Sequence, residues 1–391
     1  MRPSGIAPGG RNFFIIDMLG CFKKQLLIRL GGMTLLVVAM VLLNGGCATE
    51  PAHGVNRKYI FFPPPPAAPR VQYLTGYSGG KDPGAVTGRF AEFVVGETEV
   101  SGKPILKPYG VAIASNQLFI CDTTARAVGI LDLGNETMRL FTPVGLGKFG
   151  VPINVALDAD GSMYVTDTAR NQVLAYDTGG QFIGMLDDTN AMRLTGIAIT
   201  ADRIYASDLN SHCVRVYSKT TRQLLFTIPR NPQAEEAVEP GKLYMPVNLA
   251  VDSQGRVYVS DLSVCRVKIF DADGKFIRTF GSQGDLPGQF ARPKGIAVDR
   301  AGRIFVVDAA SQTCQIFDGE GRLLLPFGEP DGSAADTSGM LNLPAAVCVD
   351  YDHVSAFQKF AAPGFIIEEL IIISNQLGDQ KISVFGLGHR Q

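Results

Sequence analysis

Tryptophan is absent from this sequence of 391 residues, and histidine occurs only four times. His53 and His389 lie near the two ends, His353 in an insertion and His212 alone in a turn, so a histidine-rich centre has no local signature. Charge is scarce and balanced. Lys, Arg, Asp and Glu make up 19% of the chain, against about 25% in a typical globular protein. The formal net charge of -1 gives no overall pull toward nucleic acid or anionic lipid. No loop carries a Lys/Arg cluster of its own, so nucleic acid is not an expected partner. The apolar run at residues 33–43, MTLLVVAMVLL, is eleven residues long and too short to span a bilayer as a helix. The patterns C-x-x-C-H, H-E-x-x-H and G-x-S-x-G do not occur, which removes the local signatures of haem attachment, zincin chemistry and a hydrolase nucleophile elbow. One G-x-G-x-x-G is present, GLGKFG at 145–150, but a strand pattern follows it instead of a helix that would hold a pyrophosphate. It reads as a turn.

Glycine, at 44 residues, and proline, at 23, suit a chain built from many tight turns. Residues 292–328 show the unit: RPKGIAVDRAGRIFVVDAASQTCQIFDGEGRLLLPFG. Four short apolar runs rich in β-branched and aromatic residues are separated by Asp, Gly or Ser, which predicts four antiparallel strands. Such a sheet has two faces to cover and two edges to pair, and is marginal alone. Related units open at positions 108, 152, 194, 246, 293 and 344, spaced 42 to 52 residues apart. A period of that size in an all-strand unit means propeller blades. The expected fold is therefore all-β, a six-bladed β-propeller of four-stranded antiparallel blades over 71–391. The first complete unit is preceded by a strand-like stretch, RVQYLTGYS at 70–78, and the last unit stops after its third strand, KISVFG. Residues 71–77 are thus expected to supply the outer strand of blade six and close the ring.

The pattern P-x-G-I-A-V-D, then a strand ending in Asp, then a turn and I-F-D, resembles the NHL repeat family of β-propellers over about 71–386. That resemblance brings three expectations. Some NHL propellers bind RNA on a basic face, for which no cluster stands out here. NHL-like amidating lyases hold zinc with several channel histidines, which one well-placed His cannot supply. Other six-bladed propellers hydrolyse lactones with a Ca²⁺ ion held by Glu, Asn and Asp oxygens. Asn154, Asn248 and Asp308 are the weak metal candidates for that case.

The chain opens with Lys23, Lys24 and Arg29, the short apolar run, and then NGGCATE, the order of an export signal over 1–46. The end resembles a bacterial lipobox, which makes Cys47 the lipidation site, although Asn44 stands where Leu is usual. A soluble periplasmic product is the competing outcome. Initiation at Met18 or Met33 is an open alternative to Met1. Residues 47–70 contain FFPPPPAAPR and read as a lipid-anchored spacer in polyproline II, holding the propeller off an inner or outer membrane of a bacterial envelope.

Site residues are sought where the blades differ, because packing repeats around a ring and a ligand does not. Second strands end in Asp122, Asp167, Asp208, Asp261, Asp308 and Asn375, one per blade, which favours a structural role in the following turn over a metal ring. By contrast, the positions just after each opening residue vary. Tyr109, Asn154, Asn248 and Lys294 stand out there as candidate ligand-binding residues at the channel mouth, with loop bracing by the two amides as the competing role. Long inter-blade loops at 229–245, 281–292 and 328–343 mark the same face as the one expected to receive another envelope protein. The insertion at 351–364 belongs on the opposite face, with a short helix within 353–362. Cys213, Cys265 and Cys314 fall out of step with one another, and Cys121 and Cys348 lie inside strands, so neither thiolate metal binding nor a fixed disulfide set is expected. The expected function is a non-catalytic binding scaffold. A metal-dependent hydrolase or lyase with a divalent ion at the channel mouth is the alternative.

Overall fold

The structure, a computed structural model, describes residues 59–83, 102–186, 193–230, 241–329 and 338–391. The export signal expected over 1–46, Cys47, and the central parts of loops 229–245 and 328–343 lie outside the described residues.

The described chain begins with β1 (Phe61–Phe62), β2 (Val71–Tyr77) and a small hairpin of β3 (Gly79–Lys81) and β4 (Gly102–Pro104). Blade one is β5 (Pro108–Ala114), β6 (Gln117–Asp122), β7 (Ala127–Asp132) and β8 (Met138–Phe141). Blade two is β9 (Pro152–Leu157), β10 (Met163–Asp167), β11 (Gln172–Tyr176) and β12 (Phe182–Met185). Blade three is β13 (Leu194–Ile199), β14 (Arg203–Asp208), β15 (Cys213–Ser218) and β16 (Leu224–Ile228). Blade four is β17 (Pro246–Val251), β18 (Val257–Asp261), β19 (Arg266–Phe270) and β20 (Phe276–Phe280). Blade five is β21 (Pro293–Val298), β22 (Ile304–Asp308), β23 (Thr313–Phe317) and β24 (Leu323–Phe327). Blade six has β25 (Pro344–Asp350), α1 (Val354–Phe357), β26 (Phe365–Asn375) and β27 (Ile382–Arg390). All six opening positions read from the sequence are the first residues of inner strands.

Each blade is an antiparallel meander, and the tight turns follow from local chemistry. In DADG, DSQG and DRAG, between first and second strands, the Asp carbonyl accepts from the Gly N–H (Asp158–Gly161 2.9 Å, Asp252–Gly255 3.0 Å, Asp299–Gly302 3.1 Å). Those glycines sit at φ of 86°, 78° and 80°, a region closed to most side chains. The blades then bury their faces against each other. Six buried clusters are found among the described residues, each shared by two adjacent blades; Val165, Tyr176 and Phe149 of blade two meet Cys121, Val128 and Ile130 of blade one, for example. The inner strands β5, β9, β13, β17, β21 and β25 neighbour one another in sequence order, and β25 returns to β5. The ring is closed.

Closure works as expected from the sequence. β2 pairs antiparallel with β27, from Val71 opposite Leu387 to Tyr77 opposite Ile382, so the first long strand completes the last blade. The Pro-rich stretch corrects one expectation. It does not run as a straight spacer up to residue 70: β1 pairs with β2, and Arg70 N–H donates to the Phe62 carbonyl at 2.9 Å, folding the prolines into a turn and adding a fifth strand to blade six. The cause is the pair of phenylalanines before the prolines. Phe61 packs on Phe365 (ring centroids 5.6 Å apart) and Phe62 on Phe327 (5.8 Å), burying apolar rings that a free spacer would leave in water.

Candidate functional site

Loops between blades and turns between second and third strands meet on one face, and the acid ending each second strand ties them together. Asp308 shows the arrangement: its carboxylate accepts from Ala291 and Arg292 N–H (both 2.8 Å), before the inner strand, and from Ala310 (2.9 Å) and Ser311 (3.1 Å) in the turn. Asp122 and Asp167 bind the same four places in their blades. Asp208 holds Arg193 N–H at 2.9 Å, Asp261 holds Tyr244 and Met245, and Asn375 holds Asn342 at 3.1 Å. The structural role read from one acid per blade is what these bonds perform.

Every inner strand has an irregular register beside its opening residue, at 108–111, opposite 166–167, and at 194–197, 246–248, 293–296 and 344–346. Bulges of this kind re-aim side chains, and all four candidate site residues lie at them. The structure divides the four into two pairs. Asn154 and Asn248, both 6% exposed, meet across blade three, with Asn154 Nδ2 donating to Asn248 Oδ1 at 3.3 Å. Each amide oxygen also takes the next residue's N–H, Val155 at 3.0 Å and Leu249 at 2.9 Å. The approach is open because the intervening blade has Gly196 there; a Cβ on it would stand 2.8 Å from Asn248 Cα. These two amides brace strands, the competing role weighed for them beside ligand binding. Asn248, whose amide oxygen takes two N–H groups, and Asp308, whose carboxylate takes four, have no lone pair left over for a divalent ion.

Tyr109 and Lys294 form the second pair. They flank blade six in the ring, where buried Ala345 leaves room, and Lys294 Nζ lies 5.3 Å from the centroid of the Tyr109 ring. Their backbones are held from the neighbouring blades: Ser260 Oγ donates to the Lys294 carbonyl and Ser374 Oγ to that of Tyr109. Thr166 Oγ1 does the same for Thr195, at 3.0 Å. Lys294 is 7% exposed, and burial together with Arg292 and Lys107 pulls its ammonium down to about 8. Burial pushes the Tyr109 phenol up to about 12, with Arg292 and Arg193 acting in the other direction.

Lys107, Arg193 and Arg292, one from each of three separate loops, carry no signal within any single stretch of the sequence. Each stands one residue before an inner strand, on blades one, three and five, while blades two, four and six have Val151, Met245 and Leu343 there. Aligning the repeats one residue earlier would have shown the alternation. Among the described residues, none of these three cations, nor Lys294, has an ion-pair partner.

Known proteins agree with this architecture. The profile of a family described as 6-bladed beta-propeller matches residues 245–323, which are blade four, blade five and their connection. Protein brain tumor of Drosophila melanogaster, a distant NHL-repeat protein, is 24% identical over 146 residues. The chain is a six-bladed β-propeller, with repeats similar to those of NHL propellers. The match to the Drosophila protein takes in 34% of the propeller chain but 13% of that relative, so most of the relative's length has no counterpart here. Among solved structures, a protein of unknown function from Bacteroides thetaiotaomicron superposes with a TM-score of 0.56 at 19% identity, covering 81% of this chain and 75% of that one. A gluconolactonase from Xanthomonas campestris gives 0.51 at 15% identity, covering 87% and 100%. Virginiamycin B lyase from Staphylococcus aureus with quinupristin gives 0.50 at 14% identity, covering 72% and 96%. At these identities the likeness is one of fold, and the propeller's own residues decide what its channel can do.

The remaining histidines and cysteines have structural places. His353 Nδ1 lies 3.0 Å from Asp350 and its Nε2 accepts the Asn116 N–H at 3.0 Å, pinning the insertion of blade six to blade one. His212 occupies a left-handed turn position at φ 55° and bonds the Tyr244 carbonyl. Cys121, Cys213, Cys265 and Cys314 are buried, Cys348 is half-buried, and none of the five is in a disulfide. Burial raises the thiols of Cys121, Cys265, Cys314 and Cys348 above the ordinary range, which leaves them unreactive.

Proposed function

We propose that this propeller is a non-catalytic binding module, anchored in a bacterial envelope through an acyl chain on Cys47, that receives another envelope protein on its loop face. The observation that carries the reading is where the most exposed aliphatic side chains lie. Leu106 (45% exposed), Val144 (85%), Leu146 (73%), Leu286 (69%) and Leu377 (54%) all project from inter-blade connections or a second-to-third-strand turn, hence from one face. Apolar groups gathered on one face of a soluble domain are a usual mark of protein contact. The scaffold beneath is rigid, and the acids that could serve as general bases are spent on backbone N–H groups, which supports binding over catalysis.

Photo-crosslinking in intact envelopes tests the reading. A photoreactive residue at Leu146 or Leu286 is expected to give the same discrete adduct, identified by mass, and one at Leu324 on an outer strand is expected to give none. Equal labelling at all three positions, or no adduct at any, rejects the loop face as the docking surface. The anchor has its own assay: incorporation of labelled palmitate is expected in the unaltered chain and lost in Cys47→Ala.

A further inference from the structure

Among the described residues, the basic side chains at the mouth of the channel have no acid paired with them. Lys107, Arg193 and Arg292 are exposed and stand at equivalent places on alternate blades, so the ring itself sets them about the axis at one level. One step further along the strands, Tyr109, Thr195 and Lys294 occupy the same three blades, and Ile153, Val247 and Ala345 the others. The positions are fixed from both sides. Carboxylates of Asp122, Asp208 and Asp308 hold the N–H groups of the three cationic residues, and hydroxyls of Ser374, Thr166 and Ser260 hold the carbonyls of the residues below them. At the next level Asn154 and Asn248 are hydrogen-bonded to each other across blade three. The second observation is Lys294 itself: a side chain 7% exposed, with no hydrogen-bond or ion-pair partner for its ammonium among the described residues. Its stem is covered by neighbours while its nitrogen does not appear among the sealed, unsatisfied polar atoms, so the head group opens to the channel.

We propose that this mouth is a binding site for a small polyvalent oxyanion, a phosphate or a di- or tricarboxylate, seated on Lys294 and ringed by Lys107, Arg193 and Arg292. The inference deepens the binding-module reading and rests on it for the ligand's role. Recession of Lys294 favours a compact anionic group over a polymer, because a wide chain cannot bring its charge to a nearly buried ammonium. Tyr109, beside that ammonium and held by burial in its neutral form, offers a phenolic hydroxyl as a donor. Among the described residues, the charges that act most on Lys294 are cations. Arg292 on its own strand and Lys107 on blade one are cations, β17 has no charged residue, Asp350 is at the far end of β25, and Asp261 and Asp308 turn to loop N–H groups. A bound anion restores the balance.

The test is calorimetric titration of the purified full-length chain with inorganic phosphate and, separately, citrate at constant ionic strength and pH 7. Saturable one-site binding of either is expected, and which anion binds tells phosphate from carboxylate. Lys294→Met is expected to weaken binding at least tenfold, Lys294→Arg to retain most of it, Arg193→Ala to weaken it several-fold, and Arg322→Ala on an outer-blade turn to change nothing. Affinity is expected to fall between pH 7 and 9.5 as Lys294 loses its proton, and to stay level in Lys294→Arg. No binding of either anion, binding unaltered in Lys294→Met (an adventitious ion only), or binding of a single-stranded oligonucleotide but neither small anion overturns the inference. The two proposals fail separately. Adducts at Leu146 and Leu286 with no anion binding reject the oxyanion site alone, and anion binding without adducts rejects the protein partner alone.

Discussion

Asp308 accepts four main-chain N–H bonds from two loops while fully buried, so one carboxylate joins the approach to its blade with the turn above it. Removing it strands four donors. Asp308→Ala is expected to cost about 3 kcal/mol, read as a lower denaturant midpoint at unchanged m-value; a cost within experimental error would mean that the loops hold themselves. Lys294 works in the opposite direction. Its ammonium is disfavoured by folding, so between about 8 in the folded chain and 10.5, the ordinary lysine value, the unfolded chain binds the extra proton and stability rises with pH. Below 8 the folded chain bears the whole penalty. Lys294→Met is therefore expected to stabilise the propeller at pH 7 by roughly 2 kcal/mol, the full shift being discounted for the solvent at the head group. The gain should fade toward pH 10.5, and urea melts at the two pH values measure it; a gain that does not change with pH would assign it to packing. The Asp ring was legible from sequence because a turn's need for an acceptor is local. The bracing role of Asn154 and Asn248 was not decided there, since their partner is each other.

At the scale of single elements, the inner strands divide into two kinds. Blades one, three and five place Gly110, Gly196 and Gly295 where blades two, four and six have Asn154, Asn248 and Ala346. The glycines admit their neighbours: a Cβ on Gly295 would stand 2.5 Å from Ala346 Cα and 2.8 Å from Val347 N. Both contacts are backbone, which cannot swing aside. Gly295→Ala is expected to destabilise by roughly 2–3 kcal/mol, whereas Gly319→Ala, whose nearest contact would be 3.7 Å away, should be neutral or slightly stabilising; thermal melts of the two variants compare them directly. The insertion of blade six illustrates a partly correct reading. A short helix forms as expected, but as α1 followed by a 3-10 turn at Gln358–Phe360, and it is fastened to the closing strand: Gln72 donates to the Phe360 carbonyl at 3.2 Å and accepts the Ala362 N–H at 3.0 Å. Phe357 is buried in the cluster between blades six and one. Helical pattern and turn residues marked the element, while its partner on β2 lay far off in sequence.

For the whole molecule the decisive contact is the pairing of β2 with β27. Without it, β27 would present an unpaired edge and the blade-six core would lose Val71 and Leu74. Deleting residues 59–77 is expected to lower the melting temperature by more than about 10 °C, since a loss of several kcal/mol shifts Tm by a few degrees each, and to cause self-association seen by sedimentation velocity. A monomeric variant melting at the original temperature would show that the ring closes by other means. The β1 strand extends the same edge and explains why the Pro-rich stretch folds back at its end. Closure also levels the six openings, and that is what brings scattered loop residues to one mouth.

The sequence by itself determined the strands, their turns, the number of blades and the strand that closes them. Each of these follows from short-range rules, namely side-chain alternation, the acceptor a turn requires, and a repeat that recurs about every 42 to 52 residues. Only the tertiary structure decided which side chains share the channel. Lys107, Arg193, Arg292 and Lys294 come from separate repeats, and their proximity arises when the ring closes and sets equivalent positions around one axis. Charge interacts through space, with no regard for separation along the chain, so a cationic mouth could not be read from any single stretch of it.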